Sequence, residues 1–173
     1  MNKFILGLTI FLAGAGLASA HVSVKPSEVG IGKFERFVVG VPVEKDISTL
    51  SVRLILPEGL EHVTPSVKPN WQVQLVYEEE KNMEETENEV LHEENPKIKE
   101  IIWRGGTIPG GFRDEFVFSA KVPGTQVNLN WIAYQTYADG SIVAWENDPK
   151  ANQPKKEDGS PDFSTVGPYS VTS

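Results

Sequence analysis

Hydrophobic and polar residues alternate along this chain in short runs, and the runs stop at proline or glycine. Leu50, Val52, Leu54 and Leu56 form one such series, interleaved with Ser51 and Arg53 and closed by Pro57-Glu58-Gly59. Trp71, Val73, Leu75 and Tyr77 form a second, and Phe116, Phe118, Ala120 and Val122 a third, ended by Pro123-Gly124. A period of two places one face of a strand in a core and the other toward water. Val22-Ser23-Val24 is a shorter run before Pro26, and residues 34–41 are rich in β-branched and aromatic residues before Pro42. Residues 127–137 and 142–145 flank Asp139-Gly140, a dipeptide suited to the tight turn of a β-hairpin. The pattern predicts an all-β sandwich. Residues 147–166, rich in Asn, Asp, Pro, Lys and Gly, read as a loop, and residues 166–172 as a closing strand. Residues 105–111, Gly-Gly-Thr-Ile-Pro-Gly-Gly, read as a connection; no Lys-Ser/Thr follows them and no helix is signalled, so they are not a phosphate loop.

The first twenty residues depart from this pattern. Lys3 precedes an uncharged apolar run from Phe4 to Leu17, and Ala18-Ser19-Ala20 has the small-x-small form cut by signal peptidase. The run is shorter than the roughly 20 residues of a membrane-spanning helix. Residues 1–20 are therefore expected to be a cleaved signal peptide, and residues 21–173 one exported domain, periplasmic or extracellular. No later segment is apolar enough to span a bilayer, so no transmembrane anchor is expected in the mature chain. The chain has no cysteine. An exported domain without cysteine holds itself by packing, and it cannot offer the thiolate of a blue-copper centre.

Charge is local. Without Lys3, 15 basic and 24 acidic residues remain, and residues 78–95 alone hold nine Glu and one Lys. That stretch reads as a solvated acidic loop, and the rest of the domain is near neutral. Nothing forms the basic patch that nucleic-acid binding requires.

Cleavage after Ala20 would make His21 the first residue. It would then carry an α-amine and an imidazole, two nitrogen donors able to chelate one ion, and imidazole suits Cu, Zn and Ni. The other histidines are His62, read as a surface or half-buried strand-end residue, and His92, in the acidic stretch.

From His21 onward the chain resembles the YcnI-like bacterial copper-binding domain. The residues carrying the likeness are His21-Val22-Ser23-Val24-Lys25-Pro26, Val41-Pro42-Val43-Glu44-Lys45-Asp46, Asn70-Trp71 and Ile102-Trp103-Arg104-Gly105-Gly106. Residues 115–120, Tyr134-Gln135-Thr136-Tyr137-Ala138-Asp139-Gly140-Ser141 and Ile142-Val143-Ala144-Trp145 continue it. The resemblance implies an immunoglobulin/cupredoxin-like β-sandwich with a monohistidine brace for Cu(II). Carried onto this chain, the ligands are His21 and Glu44, with Trp145 beside the ion. Glu28, Glu35 and Glu146 are rival carboxylates. The expected role is copper trafficking, as a metallochaperone or buffer serving a membrane copper transporter or another cuproprotein, and not catalysis. A copper-dependent oxidase or monooxygenase, which would want a second histidine arm from His62, and a metal-free interaction sandwich are the alternatives.

Overall fold

The structure, a computed structural model, describes residues 21–78, 96–126 and 128–173. The expected signal segment and most of the acidic stretch, His92 included, lie outside the described residues.

Eleven strands are described: β1 (Ser23–Lys25), β2 (Phe34–Pro42), β3 (Thr49–Ile55), β4 (Glu61–Pro65), β5 (Gln72–Tyr77), β6 (Ile98–Ile108), β7 (Arg113–Lys121), β8 (Leu129–Tyr137), β9 (Ile142–Asn147), β10 (Val166–Pro168) and β11 (Ser170–Thr172). No helix occurs among the described residues. One sheet runs β1-β2-β7-β4 and the other β10-β9-β8-β3-β6-β5, with β11 on the free part of β8. This is the sandwich that the alternation predicts.

The alternation also predicts which side chains fill it. Phe37, Val39 and Val41 of β2, Phe116 and Phe118 of β7, Val52 and Leu54 of β3, and Leu129, Trp131 and Ala133 of β8 are all buried. Rings clamp the sheets together. Trp131 from the larger sheet lies 5.0 Å from Phe37 and 5.8 Å from Phe118 of the smaller one, and those two stack at 5.2 Å.

Three segments differ from the sequence reading. Residues 105–108 are not a connection but the end of β6, and the turn follows at residues 109–112. The glycines serve the strand itself. Across Thr49–Ser51 of β3 the pairing on β6 jumps from Ile108 to Arg104, so extra residues bulge out of the ladder there. Gly105 takes a φ of +85°, and a Cβ on Gly106 would overlap the Trp71 indole. β4 was not legible as a strand because Glu61, His62 and Pro65 break its apolar phase; it is an edge strand, where proline is tolerated. The closing strand is two strands split at Tyr169: β10 pairs parallel with β9, and β11 antiparallel with β8.

Candidate metal centre

His21 lies two residues before Ser23, the start of β1, which pairs antiparallel with β2 through Ser23↔Gly40 and Val24↔Val39. Continued by two residues, that register sets His21 opposite Pro42, where β2 ends and the chain runs on to Glu44. The imidazole is half-buried. Its ring centroid lies 6.4 Å from that of Trp145 and 6.2 Å from Phe163, and those two are 6.0 Å apart. Burial holds the imidazole below its ordinary pKa, which keeps it neutral near pH 7 with a nitrogen lone pair to give.

Trp145 is almost wholly buried on β9. Gly167 of β10 is its register partner, and a Cβ there would stand 2.5 Å from the indole carbons. Gly167→Ala should therefore push the indole off its seat. The expected result is a loss of about 1–3 kcal/mol in urea unfolding, with a shifted tryptophan emission.

Glu44 is exposed, yet its carboxyl is held above the usual range, first by partial desolvation and against a smaller opposite pull from Lys156. Its neighbour Tyr137 is nearly buried beneath Lys45, whose Nζ lies 4.4 Å from the ring centroid. Burial first, and then the Glu44 charge, push the Tyr137 hydroxyl up to about 12 from 10.0, against a hydrogen bond with Thr49. Between those values the native chain keeps a proton that the unfolded chain releases. Stability is thus complete below pH 10 and falls as pH rises toward 12, by about 2–3 kcal/mol. Urea unfolding at stepped pH should show a fall in the parent that is smaller by about that amount in Tyr137→Phe, where the raised Tyr134 hydroxyl still contributes.

The geometry sorts the rival carboxylates. Glu146 faces away from Trp145, its neighbour in the strand, and accepts the Tyr134 hydroxyl at 2.7 Å. Glu35 stands near the start of β2, far from Pro42, and its Oε1 accepts from Arg36 N. Glu28 lies past the other end of β1. His62 is exposed on β4 and packs against Phe34, 5.7 Å between centroids. Phe34 and Pro42 are opposite ends of β2, so His62 sits about 25 Å of strand from His21. It gives no second histidine arm. Among the described residues no three His, Cys, Asp or Glu cluster as a metal site.

Two residues near the site were not singled out in the sequence: Phe163 and Lys156, both in the loop 148–165. That loop is folded on itself by the Lys155↔Pro161 bridge and by Asp158 and Asp162, which accept from Ser160 and Ser164. The signal available was one aromatic residue in an otherwise polar segment. A separate cleft of about 540 Å³ is lined by Lys68, Asn70, Trp71, Thr107 and Asp114 among others, and by none of His21, Glu44 or Trp145. Lys68 and Asp114 neutralise each other there at 2.8 Å.

Comparison with known proteins agrees with the sequence resemblance. The copper-binding protein CutI of Bacillus subtilis (strain 168) is 35% identical over 153 residues, covering 87% of this chain and 66% of that protein. The chain thus spans just under two thirds of that relative's length. A crystal structure of an uncharacterized protein from Nocardia farcinica, described as having an immunoglobulin-like fold, superposes with a TM-score of 0.63 at 20% identity, covering 88% of this chain and 96% of that one. It establishes the fold as an immunoglobulin-like β-sandwich. The family described as a domain of unknown function, DUF1775, matches residues 21–164, from the histidine to the residue after Phe163. By the match along its length and the likeness of its motifs, the chain belongs to this YcnI-like DUF1775 family.

Proposed function

We propose that this domain is exported, loses residues 1–20, and binds one Cu(II) ion through the new amino terminus. In the uncut chain the His21 nitrogen is an amide; after cleavage it is an amine with a pKa of about 8, which a metal can bind by displacing at most one proton. The amine, the imidazole and the Glu44 carboxylate make an N,N,O set, which suits Cu(II). The Trp145 face would shield one side of the ion by a cation–π contact.

The observation that carries this reading is the placement of His21. It is half-buried against Trp145 and Phe163, beside the strand end that leads to Glu44. The CutI relationship supports copper as the metal. The copper is cargo, and the role is to hold, buffer or deliver it to a membrane importer or another cuproprotein. The absence of an arm from His62 favours carriage over oxygen chemistry. Titration of the processed protein with Cu(II) tests the reading: one equivalent should bind, with the spin-resonance spectrum of nitrogen ligation. A chain that begins at His21 and binds no copper would overturn it.

A further inference from the structure

Among the described residues, every large fully buried side chain is apolar or aromatic except one. Gln135 lies on β8 between Ala133 and Tyr137, in the inward phase of the strand, and is completely buried. Its amide reaches three other strands. Oε1 accepts from the Trp145 indole Nε1 of β9 at 3.3 Å. Nε2 donates to the Pro42 carbonyl of β2 at 2.9 Å and to Thr49 Oγ1 of β3 at 2.7 Å. The amide has only one orientation that fits. An indole N–H can only donate and a peptide carbonyl can only accept, so the oxygen must face Trp145 and the NH2 group Pro42. Thr49 is buried too.

We infer that Gln135 is the positioning residue of the metal centre: one buried amide that sets the Trp145 ring beside His21 and ties down the end of β2 from which Glu44 projects. This rests on the copper reading above. The physical reason is the cost of the alternative. A buried indole N–H or carbonyl left without a partner bears its full desolvation cost, so Trp145 and Pro42 cannot leave the amide cheaply. The partners that orient ligands in this way typically change metal affinity by 10–100-fold when removed. Gln135 touches no ligand itself; it acts through Trp145 and the Pro42 carbonyl.

Gln135→Met keeps the length and packing of the side chain and removes all three hydrogen bonds. In the metal-free processed protein, the Trp145 indole N–H should exchange with solvent slowly in the parent and much faster in the variant. With copper, affinity measured by chelator competition should fall about 10-fold or more, and the spin-resonance parameters should shift. Thr172→Val is the control. It breaks a comparable buried bond, Trp131 Nε1 to Thr172 Oγ1 at 3.0 Å, at the far end of β1 from His21. It should lower stability and leave the copper spectrum unchanged. If Gln135→Met leaves Trp145 exchange and the copper spectrum as in the parent, the inference is wrong, even with copper binding intact. If Thr172→Val shifts the spectrum equally, a general loosening of the fold explains both and the inference also fails. A parent whose copper binding survives His21→Ala removes the metal centre itself; that failure is separable, because the exchange result reports on the Gln135–Trp145 bond alone.

Discussion

Acetylating the α-amine of His21 in the processed chain should weaken Cu(II) binding by at least about 100-fold, beyond the usual effect of losing a supporting partner. The acetyl group leaves the amino-acid sequence unchanged and adds no new amine. His21 keeps its place against Trp145 and Phe163, and the domain should unfold within about 0.5 kcal/mol of the parent. What changes is one nitrogen, from an amine that binds a metal after losing at most a proton to an amide that does not. The ion is left with the imidazole and one carboxylate, and the advantage of two donors held on one residue is gone. His21→Ala should reach the same affinity by removing the other nitrogen. Chelator competition measures both, and equal affinity of the acetylated and native termini would sink the terminal-chelate proposal.

The second large effect is on the fold. Trp131→Ala should cost about 3–5 kcal/mol, a large part of the 5–15 kcal/mol that holds a typical domain. Trp131 is the ring from the larger sheet that touches both Phe37 and Phe118 of the smaller one. Its loss opens a void between the sheets that neither can close without moving as a body. Thr172 would lose its indole donor while keeping its own bond to the Pro26 carbonyl at 2.8 Å. For a domain of this size the melting midpoint should fall by about 10 °C. Calorimetry measures it, and a fall of under 3 °C would show that the rings do not clamp the sheets.

The strands most legible in the sequence were those with one face in the core and one in water. β2, β3, β7 and β8 alternate because each lies inside a sheet whose outer face is solvated. β4 failed that test because it is an edge, with little of it buried. The end of β6 was hidden because glycines, normally a mark of turns, are needed there for the bulge and for the close approach of Trp71. The candidate site was half legible. His21 stood out by its place relative to Ala20, and Glu44 and Trp145 came from family likeness rather than from pattern. Phe163 comes from a loop that has no period at all. Gln135 was legible in principle, as a polar residue where the alternation of β8 demands an apolar one. No spacing rule links it to Pro42 or Thr49, because strand order sets those meetings, not distance along the chain.

The two ends of the domain are stitched together. Val24 N donates to Ser170 Oγ, Thr172 Oγ1 donates to Pro26 O, and Ser173 N donates to Ser27 O, each across 146 residues. Contacts that distant in sequence close late in folding. The segment that follows His21 therefore lacks its cross-chain hydrogen bonds until residues 170–173 are in place. On the proposed copper reading, the ion would be taken up by the folded domain and not by a partly made chain.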